Sequence, residues 1–266
     1  MRRGRYKKVI GSGLAFSHAA LERFPFVMRW DAARHPLPRR PVRAPARPRS
    51  VVLGNEAPPW LATGPAELAF DFCGHVQRLC CDIVARCPEL HHIDASKLLF
   101  CMTQARTGRV HGLQARVTPL RFRNGGLRRR RHGIPYQVQR YIVDGQEMLY
   151  LVTFCLPRFL DQEFDGKFVT LFHELYHISP EFDGDLRRHS GRCQMHSHSK
   201  RTYDKHMAHL AREYLSGGAD SSLHAFLRLN FAQLAHRHGR VEAVVVPRPK
   251  LLPIVVPETL TAAASE

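Results

Sequence analysis

The chain has 266 residues, 44% of them hydrophobic, and a formal net charge of +17. This composition is ordinary for a globular protein, and the length is sufficient for one good-sized domain or two small ones. No stretch approaches the ~18 consecutive apolar residues of a membrane-spanning helix, so we expect no membrane partner.

The positive charge is concentrated near the N-terminus. Residues 1–57 contain 13 Lys/Arg and 3 Asp/Glu side chains, which gives a net charge of +10. Proline and arginine alternate there without an apolar period, so we expect residues 1–57 to form a disordered basic arm. Such an arm could bind nucleic acid weakly and without sequence preference, or it could be only a solvated tail. Translation could also begin further along, at Met28.

The seven cysteines are odd in number and contain no C-x-x-C pair. This usage predicts free thiols in a reducing cytoplasm instead of a disulfide framework. We expect Cys73, Cys80, Cys81 and Cys87 to be buried along one helix. A faint apolar segment near the N-terminus is interrupted by polar residues, which argues against secretion.

The first half of the predicted domain contains a helix and several strands. Apolar residues recur at helical spacing over residues 66–87, which predicts a helix packed on a core. Asp144-Gly145 is a strong hairpin signal between two predicted strands, and the second of these is apolar enough to lie centrally in a sheet. The predicted strands cover residues 97–105, 113–122, 136–143 and 147–156, with a loop over residues 124–135.

The second half is mainly helical. This order of elements predicts an α+β fold, in which a small antiparallel-rich sheet has helices on one side. We expect a folded domain over residues 58–246 and a Pro-rich tail over residues 247–266. The predicted elements are helices over residues 166–178, 201–215 and 222–238 and a strand over residues 242–246.

The helix over residues 166–178 carries the pattern His-Glu-x-x-His, written HELYH in this chain. His173 and His177 fall one turn apart on one helix face, so both imidazoles could bind one zinc ion. The surrounding residues are apolar, and polar side chains on a buried helix need partners or a metal. Glu174 is offset around the helix, where a general base could lie beside a water molecule. The alternative is a pair of core histidines with ordinary polar partners.

An HELYH sequence on an apolar helix after a hairpin resembles the zincin metallopeptidases, most closely the minimal SprT-like group and the phage-type metallopeptidase domains. The resemblance covers roughly residues 60–215, and only His173, Glu174 and His177 match sharply. It implies a zincin-like domain that binds one Zn²⁺ per chain through the two histidines. It also implies hydrolysis of a peptide or protein substrate, with Glu174 as the catalytic base.

A third zinc ligand is expected, because zinc hydrolases generally use three protein ligands and a water molecule. In the families that the chain resembles, a third histidine opens the following helix and an aromatic residue comes about one turn later. This arrangement favours His198, followed by His196 and then His189. The extended metzincin pattern fails, because Pro180 stands at its glycine and Asp183 at its third histidine. Asp183 could still be a ligand, but loss of the glycine turn argues against it. Tyr203 and Asp204 are candidate partners for the ligating histidines.

Two other functions remain open at this point. Arg128, Arg129, Arg130 and Arg131 could bind phosphates or form a solvated hairpin tip. Together with the basic arm, they allow a nucleic-acid-associated zincin-fold protein or a DNA-associated protease. Cys193 and the nearby histidines could instead complete a structural zinc module, in which a fourth protein ligand would take the place of the water molecule.

Overall fold

The computed structural model describes residues 25–44, 62–106, 112–188 and 200–254, and of residues 200–202 only the backbone. Their fold is α+β, as predicted: short strands form small three-stranded sheets, with α-helices packed against them. None of the helices in these ranges is long and apolar enough to cross a lipid bilayer.

The elements follow one another in mixed order along the chain. The helices are α1 (Phe72–Arg86), α2 (Phe164–Tyr176), α3 (Lys200–Ser216), α4 (Ser221–His224) and α5 (Phe231–His238). The strands are β1 (Val27–Trp30), β2 (Arg39–Pro41), β3 (Phe70–Asp71), β4 (Leu98–Gln104), β5 (Ala115–Pro119), β6 (Arg128–Arg131), β7 (Ile134–Val138), β8 (Arg140–Val143), β9 (Gln146–Met148), β10 (Tyr150–Leu156), β11 (Val241–Val244) and β12 (Leu251–Pro253).

The central sheet has the strand order β4-β10-β5. The apolar strand β10 is the middle strand, as predicted, and pairs in parallel with β4 and in antiparallel with β5. The expectation of an antiparallel-rich sheet is right only in part, because β1 with β8 and β3 with β11 also pair in parallel. Long connections between these strands allow the parallel pairings.

Helices α1 and α2 pack against one face of the central sheet and enclose the main core. Phe72 of α1 contacts Phe154 of β10 edge to face, with 5.3 Å between ring centroids. Side chains alternate along a strand, so the next residues point to the other face. There a smaller cluster, called here the Trp30 cluster, consists of Trp30, Leu99, Leu120, Tyr141, Met148 and Leu151.

Two strands of the predicted N-terminal arm belong to the fold. β1 pairs with β8 and β2 pairs with β11, and the Trp30 side chain is only 4% exposed. The prediction that residues 1–57 lie outside the folded domain is therefore wrong for residues 25–44. Short edge strands satisfy their backbone groups through partners distant in sequence, which local Pro/Arg composition does not reveal. The rest of this segment lies outside the described residues.

The predicted start of the C-terminal tail, at residue 247, also lies too early in the chain. β12 pairs with β7, and the Tyr141 hydroxyl donates a 2.6 Å hydrogen bond to the carbonyl oxygen of Pro247. Residues 247–254 therefore pack against the domain. Residues 255–266 lie outside the described ranges.

Several predicted elements are divided in the structure. The strand predicted over residues 136–143 becomes β7 and β8, which belong to different sheets, and the strand over residues 147–156 becomes β9 and β10. The loop predicted over residues 124–135 contains β6, which pairs with β7. The helix predicted over residues 222–238 is broken into α4, a 3-10 turn and α5.

The predictions for the hairpin turn and for the free thiols agree with the structure more closely than these element boundaries do. Asp144 and Gly145 have φ angles of 48° and 81°, as a two-residue hairpin turn requires, and they join β8 to β9. Every described cysteine is a free thiol. The expectation of burial is correct for Cys73, Cys80 and Cys87 but wrong for Cys81, which lies on the exposed face of α1.

Candidate metal centre

The histidine pair lies at the C-terminal end of α2. The helix ends at Tyr176, and His177 follows as its cap with φ −70° and ψ −15°, which continues the helical turn. The rings of His173 and His177 consequently meet edge to face, with 4.6 Å between their centroids. The predicted juxtaposition of the two imidazoles on one helix face is thus present in the structure.

Buried contacts fix α2 and the loop that follows it. Apolar residues of the helix, including Phe168 and Phe172, are fully buried in the main core. Beyond the helix, the chain turns back on itself, because Ile178 and Leu186 form an isolated bridge. The backbone N–H of Arg187 donates to the carbonyl oxygen of His177 at 2.7 Å. These contacts hold the backbone of the second histidine on both sides.

Helix α3 contributes the residues that pack against the histidines. The Tyr203 ring centroid lies 4.8 Å from that of His173 and 5.9 Å from that of His177. The carboxylate of Asp204 lies 3.7 Å from Nδ1 of His173. A carboxylate near Nδ1 is the arrangement that orients a ligating histidine, whose Nε2 would then bind the metal. Both residues predicted as histidine partners are therefore beside His173.

Glu174 points towards the edge of the central sheet. Its side chain is only 8% exposed, and its Oε2 accepts a 2.7 Å hydrogen bond from the backbone N–H of Val117 in β5. Burial raises the pKa of Glu174 to about 7, although the Val117 N–H and the charge of Arg116 oppose this shift. Sequence reasoning could not find this contact, since a backbone donor from another element leaves no local signal.

The residues present fit part of a zinc site. Two imidazoles one turn apart are donors of the kind that zinc prefers. The three candidates for a third ligand, and Cys193, fall outside the described residues; the candidates are His198, His196 and His189. Among the described residues, no group of three metal-binding side chains occurs. Asp183 accepts a hydrogen bond from the backbone N–H of Asp185 in its own turn.

The arginine run forms strand β6 and not a loop. All four side chains are exposed, and strand geometry sends successive ones to opposite faces. Arg128 and Arg130 therefore leave the strand on one face, and Arg129 and Arg131 on the other. The structure does not gather the four guanidinium groups into one site.

Comparison with known proteins finds no matching family model, no similar curated protein and no similar solved structure. One further contact beside the histidines was missed by sequence reasoning: the guanidinium of Arg187 lies 4.0 Å above the Tyr176 ring.

Proposed function

We propose that this chain is a zinc-dependent metallopeptidase with a zincin-like site, in which His173 and His177 hold the ion. The observation that carries the proposal is the grouping at the end of α2. Two imidazoles lie 4.6 Å apart, and the glutamate between them in sequence is buried against a strand edge. A closed structural zinc site would have no use for a buried glutamate in that position.

Different residues of the chain would have different roles in the reaction. When bound, zinc would supply Lewis acidity towards a scissile carbonyl and lower the pKa of a water ligand. Glu174 would accept the proton of the attacking water and pass it to the departing amine. Asp204 would orient the His173 ring, and Tyr203 would pack against both imidazoles and limit their rotation.

The geometry of β5 supports a peptide as the substrate. In the described part of the chain, β5 pairs only with β10, so its other edge carries no strand. The N–H of Val117 points away from β10 towards Glu174 on that outer edge. An extended peptide that paired along this edge would lie beside the proposed base. The central strand β10 cannot take this role, because β4 and β5 cover both of its edges.

Zinc content is the direct test, since it requires no knowledge of the substrate. Full-length protein purified without chelators should contain about one zinc per chain by plasma mass spectrometry. His177→Ala should lose the zinc, whereas Glu174→Gln should retain it, because the two side chains are assigned different roles. Cleavage of fluorescently labelled casein should fall at least ~100-fold in Glu174→Gln.

An exposed histidine outside the proposed zinc site provides the matched control. His209 lies on α3 with a side chain that is 57% exposed and pairs with Glu213, so His209→Ala should leave zinc unchanged. Wild-type protein that contains no zinc and takes up none on addition would end the proposal. Loss of zinc from Glu174→Gln would make Glu174 a ligand and overturn its assignment as the base.

A further inference from the structure

The sheet face opposite α1 and α2 is divided into two halves. Leu99 and Leu151 lie in the Trp30 cluster and are buried. The other half forms the floor of a cavity of about 570 Å³. On this floor, Cys101, Thr153 and Arg116 stand in one row across β4, β10 and β5, because Thr153 is the register partner of both neighbours.

Four arginines line this cavity. Arg116 comes from β5, Arg40 and Arg43 come from β2 and the residues after it, and Arg248 lies on the chain beyond β11. No acidic side chain is present among the described residues that line the cavity. Within the described ranges, none of the four guanidinium groups lies within ion-pair distance of a carboxylate. The described arginines that do form such pairs include Arg39, Arg86, Arg121, Arg140, Arg188 and Arg240.

Arg116 is the most buried of the four. Its Nε is buried and has no hydrogen-bond partner among the described residues. A buried donor without an acceptor lowers the stability of the fold, and more so when the group is charged. This cost would be offset by an anion that enters the cavity and accepts from the guanidinium.

We propose that this cavity binds a phosphate group carried on an organic body, as in a nucleotide. The planar guanidinium fork matches the oxygen spacing of a phosphate and binds it through two hydrogen bonds. The hydroxyls of Thr118 and Thr153 add neutral donors on the floor. The wall formed by Val246, Pro247 and Pro249 is apolar and suits the organic part. The volume falls within the ~300–1,000 Å³ of small-molecule sites.

The phosphate cavity is separate from the candidate metal centre. Arg116 and Val117 are neighbours on β5, and their side chains point to opposite faces of the sheet. Val117 belongs to the helix-side core next to Glu174, whereas Arg116 lines the cavity. The proposal therefore does not depend on zinc, and its test does not use peptidase activity.

Calorimetric titration of the full chain with ATP tests the proposal at about 150 mM salt, where weak surface attraction is screened. ATP should bind, and adenosine, which lacks the phosphates, should not. Arg116→Gln should weaken ATP binding by about tenfold or more, because it removes a charged two-point contact. Arg129→Gln removes the same charge from the exposed strand β6 and should leave the affinity within about twofold.

A phosphate on a nucleic acid would meet the same guanidinium groups. A 5′-phosphorylated single strand of ten nucleotides is therefore titrated in parallel. If it binds more tightly than ATP and Arg116→Gln weakens it equally, the site stands and a nucleic-acid end is its source of phosphate. If Arg116→Gln does not fold, as judged by its melting curve, Arg248→Gln at the exposed rim replaces it with the same expectation. Absence of ATP and strand binding, or equal losses in Arg129→Gln, would overturn the proposal.

Discussion

The two faces of the central sheet differ in composition and in what covers them. The face against α1 and α2 is apolar along its whole length, with Phe100, Val152 and Phe154 at most 3% exposed. The opposite face changes from leucines under the Trp30 cluster to the polar row at Thr153 and Arg116. One face of this sheet therefore contributes most of the buried apolar surface. Half of the other face is open to a ligand.

The largest effect should come from the helix-side face. Phe154 is fully buried and meets Phe159 edge to face with 4.8 Å between centroids. Phe154→Ala should lower the free energy of unfolding by about 4 kcal/mol, because it removes apolar contact and leaves a cavity. Urea unfolding followed by circular dichroism measures this change. A loss below ~1.5 kcal/mol would mean that this face does not dominate stability.

The Trp30 cluster should contribute less, because it is smaller and lies under short edge strands. Trp30 is buried and contacts Tyr141 at 5.3 Å between centroids. Trp30→Ala should cost about 3 kcal/mol by the same measurement. Exposed Arg34 in the following turn offers a control, and Arg34→Ala should change stability by less than ~0.5 kcal/mol. If Trp30→Ala were equally neutral, residues 25–44 would not stabilise the fold.

Sequence reasoning succeeded where the signal is local. The helical period of α1, the apolar run of β10, the turn at Asp144-Gly145 and the HELYH helix each depend on neighbouring residues. The break between α4 and α5 was missed although its signal is local too, since Asn230 and Gln233 form a capping box at the start of α5. That pattern marks a helix start within what was interpreted as one continuous helix.

Other features depend on partners that no local pattern reveals. β7 and β8 separate at Gln139, whose side chain donates to the carbonyl oxygen of Pro25 and accepts from the N–H of Lys250. Both partners are more than 100 residues away, so the interruption leaves no signal in the strand itself. The same reason hid the contact between Glu174 and Val117. The charge of Arg128–Arg131 allowed either a phosphate contact or a solvated hairpin tip, and it does not distinguish a strand from a loop.

The helix-side core contains a buried lysine, and the titration of this lysine makes the stability of this side of the sheet depend on pH. The ammonium of Lys167 on α2 donates to the carbonyl oxygens of Leu227 and Leu229, each at 2.8 Å. Burial lowers the pKa of Lys167 to about 8 from an ordinary value of 10.5. The unfolded chain therefore retains this proton above the pH at which the folded chain releases it. Because the unfolded state binds more protons in that window, the Lys167 contribution to stability increases as pH rises through it.

Lys167→Met isolates this contribution. The difference in unfolding free energy, wild type minus variant, should increase by about 1 kcal/mol between pH 7 and pH 9. Buried thiols and tyrosines titrate in the opposite sense, but they are common to both proteins and cancel in the difference. Urea unfolding at several pH values provides the measurement. A difference that stays constant with pH would mean that Lys167 keeps its ordinary pKa in the folded chain.

The smallest effect should come from the floor of the phosphate cavity. The hydroxyl of Thr153 makes a weak contact with the Cys101 sulfur, at 3.3 Å, and valine suits a strand equally well. Thr153→Val should therefore change the unfolding free energy by less than ~0.5 kcal/mol. It should weaken ATP binding, because the floor loses a hydroxyl donor.

The preceding residue provides the reverse substitution on the other face. Val152 is 1% exposed in the helix-side core, so Val152→Thr should cost about 2 kcal/mol by burying a hydroxyl without a partner. The two variants exchange the same side chains at adjacent positions of β10, so strand propensity cancels and only the sheet face differs. A loss above ~1.5 kcal/mol in Thr153→Val would show that the polar row stabilises the sheet itself. The Thr153 hydroxyl would then be needed for folding. Ligand binding would no longer be required to explain a polar row on this face.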